Sequence, residues 1–376
     1  MHLAWFRSQT LNPADPLDAI AQLIDALRAH HAVEIIDESR AHDIVWRQHR
    51  DPFDVCVYEL DDSPGSRFMS PYLLRYPGLT LLLSSTLTAN WAWALQEAGR
   101  VQDLGSDHTF ARRGLRPMLR VPLLASRLVG VPHRALAATL AYEVPEAHIE
   151  TFAPGLRALP PTTLTIVGAV PDVVTFGSIA PDARQRARIE RAAQRARDAG
   201  TRVNLLLDAD ARRVLRESHV LLALHWPMHG RLLSDAVAAM ATGLVPIVLE
   251  TLETSDWPSL DPHTWTPRNR IGSEAPACIT LDVLDEEHSL MLAMRRLAVD
   301  APLRARLGAA AHERWRNHLT LERAVESVER LLEHARSSAP PERPPDWPSH
   351  IAGDATETAR GILREFGLTV DLLETT

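Results

Sequence analysis

The sequence predicts an α/β protein of two doubly wound, Rossmann-like domains facing one another across a cleft, and three observations predict it. Short apolar runs rich in Val, Ile and Leu alternate with segments whose apolar residues recur at helical spacing. The alternation stops at Pro154-Gly155 and Pro160-Pro161 and then restarts. The chain of 376 residues is longer than a single domain of about 100–200 residues.

The elements follow in order. Residues 3–6, 33–36, 53–60 and 79–83 read as strands of a first parallel sheet. Residues 17–29 carry Ile20, Leu23, Ile24 and Leu27 on one helical face. After the break, residues 173–176, 203–207, 220–224 and 245–249 read as strands, and 182–199 and 234–242 as helices, with Gly243 ending the latter. Residues 287–299 and 321–335 read as two long helices, with Thr320 as N-cap of the second. A proline-rich connector follows, and Asp354 and Glu357 open a last helix with Ile362, Leu363 and Phe366 on its apolar face. The expected division is therefore 1–157, 158–336, a connector over 337–352, and a helix and tail over 353–376 that cross back onto the first domain.

Composition narrows the chemistry. The formal charge of -8 argues against generic nucleic-acid binding. No lysine occurs, so all 40 basic residues are arginines. This excludes Schiff-base chemistry and a Walker-type phosphate loop, and any anion must be held by Arg, His or backbone N–H groups. Cys56 and Cys278 show no metal-ligand spacing and sit in apolar stretches, as reduced core thiols of a cytoplasmic protein do. Residues 1–6 read as a first strand and not as a signal peptide, and no apolar run approaches the ~20 residues of a membrane span.

Three stretches resemble the retaining, nucleotide-sugar-dependent glycosyltransferases of family 4, which have the GT-B fold. They are residues 53–60 with 71–78, residues 218–227 with 236–248 (a strand, Trp226-Pro227, a glycine, then Ala239-Met240-Ala241 before Gly243 and a strand), and residues 300–308 with the helix from Leu321. The resemblance implies a nucleoside-diphosphate sugar as donor in the second domain, a hydroxyl acceptor at the first, and transfer without a metal or other cofactor. It also shows departures. The family's two glutamates, separated by seven residues, fall on Gly230 and Ala238. Its phosphate-binding Arg and Lys fall on Ser178 and one residue before Arg184. Its His-Asp after the acceptor-side strand falls on Ser84-Ser85.

The donor-side candidates are therefore Gly177, Ser178, Arg184, His225, Gly230, Arg231, Ser234 and Glu250, and the acceptor-side candidates Ser84 and Ser85. Arg184 is either a diphosphate clamp or part of a solvated arginine face with Arg186, Arg188 and Arg191. Arg231 either attracts the donor phosphate or pairs with Asp235 beside Ser234, the expected N-cap of its helix. His225 and His229 line a sugar cleft more readily than a metal, because Pro227 breaks the helical geometry that their spacing would need. Glu250 is the candidate substitute for the missing ribose carboxylate, and His133 and Asn204 are placed at the cleft by position. Asp61-Asp62 reads as a turn-forming pair. Arg112, Arg113, Arg116 and Arg120 near Leu115, Met118 and Leu119 are either a plain loop-helix region or a peripheral membrane contact. The catalytic residues are not identified. The expected activity is a glycosyltransferase. The alternative is a catalytically impaired homologue that serves as a binding or partner protein, and a nucleotide-sugar epimerase is a weaker third reading, since carboxylates in the expected cleft are sparse.

Overall fold

The computed structural model describes residues 1–8, 12–97, 99, 101, 118–160, 173–225, 233–268, 274–342, 347 and 363–367. It contains two six-stranded sheets, every strand parallel to its neighbours. The first comprises β1 (His2–Phe6), β2 (Ala32–Ile36), β3 (Val55–Leu60), β4 (Leu79–Leu82), β5 (Leu128–Val131) and β6 (Ile149–Thr151), in the order β2-β1-β3-β4-β5-β6. The second comprises β7 (Val174–Ile179), β8 (Val203–Asp208), β9 (Val220–Ala223), β10 (Val245–Leu249), β11 (Ser259–Leu260) and β12 (Cys278–Leu281), in the order β11-β12-β10-β9-β7-β8. The continuous apolar runs of β3 and β10 are buried along their whole length, as strands covered on both faces must be.

Around the first sheet lie α1 (Ala19–Leu27), α2 (Ile44–Arg50), α3 (Met69–Arg75), α4 (Thr88–Glu97), α5 (Arg120–Ala125) and α6 (Arg134–Glu143). The second carries α7 (Ala183–Asp198), α8 (Ala211–Glu217), α9 (Ser234–Thr242), α10 (Glu286–Val299) and α11 (Ala301–His318), and α12 (Leu321–Ser337) ends the series. Carboxylates cap three of the helices that follow strands. Asp18 accepts from Ala21 N at α1, Asp182 from Gln185 N at α7, and Asp210 from two backbone N–H groups at α8. One apolar core fills the outer face of each sheet, and a third runs through the inner faces of both.

Two features differ from expectation. β7 runs on to Ile179, so Gly177 and Ser178 lie inside the strand instead of in a loop beyond it. The reason is packing. A Cβ on Gly177 would stand 2.1 Å from Ser218 Oγ and 2.7 Å from Val214, where α8 meets the strand. The crossing back to the first sheet is made by α12. Its stripe of Val328, Leu331 and Leu332 packs against α1, β3, β4 and β5, not beside the second sheet. Of the last predicted helix only 363–367 is described, with a helical turn at 363–365 and Phe366 75 % exposed instead of packed. Trp347, in the proline-rich stretch, is buried in the outer core of the first sheet.

The chain passes between the sheets twice, and the two passages touch. Leu156 N donates to Leu319 O at 3.0 Å, and Leu321 N donates to Leu156 O at 3.1 Å. Gly155 permits this, because a Cβ there would lie 2.0 Å from Thr320 O. Gly155→Ala is therefore expected to destabilise the protein by about 1–3 kcal/mol through overpacking, read as a lowered urea midpoint.

Candidate functional site between the switch points

In a doubly wound sheet the helices leave in opposite directions where the strand order reverses, and this opens a crevice at the carboxyl ends of the strands. The order reverses between β1 and β3 in the first sheet and between β7 and β9 in the second. These two points face each other. A cavity of about 300 Å³ between them is lined by Arg7, Asp18, Glu59 and Asp61 from one side and by Ala180, Ser234 and Asp235 from the other.

The floor on the first sheet is a buried ionic network. Arg7, 2 % exposed, follows β1, and its Nη2 donates to both carboxylate oxygens of Asp18, each at 2.8 Å. Its other nitrogen lies 3.5 Å from Glu59 Oε1, which also accepts a 2.6 Å hydrogen bond from Trp5 Nε1. Burial pushes the Glu59 carboxyl up to about 7, outweighing the attraction of Arg7, whose guanidinium is committed to Asp18. Asp61 and Asp62 act in the turn as expected. Asp61 accepts from Ser63 and Ser66, and Asp62 from Thr86 and Asn90. Asp61 also borders the cavity. Carboxylates are therefore not sparse here.

On the second sheet, α9 spans the expected Ser234–Thr242, but Ser234 is its first residue and not its N-cap. Leu233 is the N-cap, with φ 49°. A non-glycine residue in the left-handed region is a strained one; Leu233 adjoins the cavity-lining Ser234, and Ala180 at the end of β7, with φ 45°, lines the cavity itself. Asp235 is buried and its Oδ2 lies 2.5 Å from His225 Nε2, so the carboxylate holds the imidazole in one orientation.

The other predicted residues divide. Ser178 Oγ is buried and donates to Leu222 O. Neither Gly177 nor Ser178 borders the cavity. Arg184 is exposed in the first turn of α7. Further along that helix, Arg188, Arg191 and Arg195 form ion pairs with Glu286 and Glu287 of α10, so this stretch is an interhelical charge row. Glu250 follows β10 half-exposed and is paired with Arg268, away from the cavity. Asn204 lies within β8, exposed. Ser84 is buried and accepts from Thr86 N, and Ser85 is half-buried beside it. Gly230, Arg231 and His229 lie outside the described residues, as do Arg112, Arg113 and Arg116. Met118 and Leu119 are buried in the outer core of the first sheet. Among the described residues no helix is long and apolar enough to cross a membrane.

His133 follows β5 and is buried where the segment after β10 reaches the first sheet, with Leu252 packed into that sheet's outer core. Burial lowers the His133 imidazole to about 4, against the opposing fields of Glu253 and Asp256. Glu59 and His133 thus act on stability in opposite directions. Glu59, raised in the fold, stabilises below about pH 4.5 and loses that contribution as pH rises to 7. His133, depressed, contributes above about pH 6.5 and loses it as pH falls towards 4. Each is of order 3 kcal/mol. Relative to the parent, Glu59→Gln should gain stability as pH rises from 4.5 to 7, and His133→Gln should gain it as pH falls from 6.5 to 4, by urea denaturation across the range. Arg7→Met, which removes the partner of buried Glu59 and half-buried Asp18, should cost about 3–5 kcal/mol by the same measurement.

No family model and no curated protein sequence matches the chain. Solved structures do. HepE of Anabaena, in complex with UDP and glucose, aligns over 89% of this chain and 99% of its own, with 10% identity and a TM-score of 0.56. The catalytic domain of starch synthase IV from Arabidopsis thaliana, bound to ADP and acarbose, aligns over 89% and 99%, with 13% identity and a TM-score of 0.55. A candidate UDP-N-acetylglucosamine 2-epimerase of Listeria monocytogenes aligns over 91% and 98%, with 10% identity and a TM-score of 0.51. At these identities the likeness is one of fold, and that fold is the two-sheet GT-B architecture.

Proposed function

We propose that the chain is a glycosyltransferase of the family 4 kind that moves a sugar from a nucleoside-diphosphate sugar to a hydroxyl acceptor with retention of configuration, in the cytoplasm. The observation that carries this reading is the meeting of the two switch points, which gives a cavity with polar groups from both sheets. The neighbours with UDP and ADP bound support a nucleotide in the same fold. In this reading the diphosphate lies on the second unit, near Ser234 at the start of α9 and Arg184 at the start of α7, with Gly230 and Arg231 in the stretch before Ser234. The His225–Asp235 pair presents a fixed imidazole to the donor, and Ser84 and Ser85 stand on the acceptor side. The bond from the anomeric carbon to the diphosphate breaks and the acceptor oxygen bonds to that carbon on the same face. The acceptor proton passes to the departing phosphate oxygen, so no protein base and no metal is called for.

One observation favours the second reading, a non-catalytic homologue that binds a sugar or a partner. Among the described residues, Asp15, Asp18, Glu59, Asp61 and Asp235 border the cavity with Arg7 as the one arginine, and Arg7 is already paired. A diphosphate gains little from such a wall. Calorimetric titration with UDP, ADP and TDP and with their hexose conjugates separates the readings. The transferase reading expects micromolar to millimolar binding, weakened about tenfold or more by Arg184→Glu, and turnover with a hydroxyl acceptor. Binding without turnover across an acceptor panel supports the second reading, and no binding at millimolar donor removes the first.

A further inference from the structure

We propose that His263, Asp285 and His288 form a site for a divalent transition metal of the zinc class on the rim of the second sheet, apart from the residues that line the cavity and independent of the reading above. The three offer one ligand atom each, and these atoms all lie within 4.8 Å of one another. His263 Nε2 stands 3.3 Å from Asp285 Oδ2. Two ligands at ~2.0–2.1 Å on a tetrahedral ion are about 3.3 Å apart, so this pair is already at the spacing that a shared ion requires. The rings of His263 and His288 have centroids 5.6 Å apart. His263 and His288 are exposed and Asp285 is half-buried, so small side-chain rotations bring the third donor in and leave open positions for water.

The backbone fixes this arrangement from two directions. Asp285 and His288 are three residues apart at the start of α10 and share one face. A turn capped by Asp282, which accepts from Leu284 N, leads into them, and Ser289 Oγ donates to Asp285 O. His263 sits in the turn between β11 and Pro267, where its N–H donates to Asp261 Oδ1 at 2.7 Å and Trp265 N donates to Asp261 O. Arg296 of α10 lies over the Trp265 ring, which ties that turn to the helix. The charges are arranged to suit a cation as well. Glu286 and Glu287 are neutralised by arginines of α7, whereas Asp285 faces imidazoles. Two imidazoles and one carboxylate select zinc, cobalt or nickel over magnesium or calcium.

The test uses the metal-free full chain. Calorimetric titration with zinc chloride should show one tight equivalent, and cobalt chloride should give a visible absorption band of a low-coordinate ion, while magnesium chloride gives neither. His263→Ala and His288→Ala should each weaken the tight equivalent about tenfold or more. Both residues are exposed, so both variants fold. His30→Ala with His31→Ala, a histidine pair beside Glu329, controls for adventitious binding and should leave that equivalent unchanged. The proposal is overturned if the parent binds no zinc at 0.1 mM (about a hundred times a micromolar Kd), if His263→Ala and His288→Ala bind as the parent does, or if magnesium competes on equal terms.

Discussion

Parallel pairing in every strand is the constraint from which the rest of the molecule follows. It places all carboxyl ends of a sheet on one edge, and it requires cover on both faces. Two such sheets, joined by crossings at Leu156 and Thr320, turn those edges towards each other. The cavity is the result. Its walls are the ends of β1 and β3 on one side and of β7 and the start of α9 on the other. The inner faces of both sheets share one apolar core, so the cleft has a continuous hydrophobic back.

The charge inside that cleft is unevenly distributed. The first sheet contributes a buried arginine held between Asp18 and Glu59. The second contributes a carboxylate already engaged with an imidazole. Each charged group there is positioned by another protein group, which makes the site stiff before any ligand arrives. Arg184, which could meet a phosphate, lies further out, on the first turn of α7. Ala180 and Leu233, two of the four described non-glycine residues with positive φ, sit at or beside this cavity. Strain kept at a cavity wall by the surrounding fold is a feature of sites more than of scaffolding.

The sequence made the architecture legible where burial was continuous. β9 and β10 stand out as uninterrupted apolar runs, β3 as one broken only by Glu59, and α1 as an amphipathic face. β5, β6 and β11 did not, because they are short and because Gly130, Glu150 and Ser259 break their apolar pattern. Of the site, the second sheet's part was readable, since His225, Ser234 and Asp235 fall within one stretch. Arg7, Asp18 and Glu59 were missed because 52 residues separate Arg7 from Glu59, and only the pairing of β1 with β3 unites them. One signal was available: Glu59 is a lone charge in an apolar strand. The zinc-class cluster was hidden likewise, its histidines standing in separate elements until α10 docks.

The adjacent crossings also say something about how the molecule is put together. The chain enters the second sheet after Leu156, returns at Thr320, and completes the first sheet's inner face only with α12. The second unit is thus an insertion within the first, and its two ends are hydrogen-bonded neighbours. An insertion whose ends meet places no geometric demand on its host. A short turn between 156 and 320 would close the host, and α12 belongs to the same folding unit as α1.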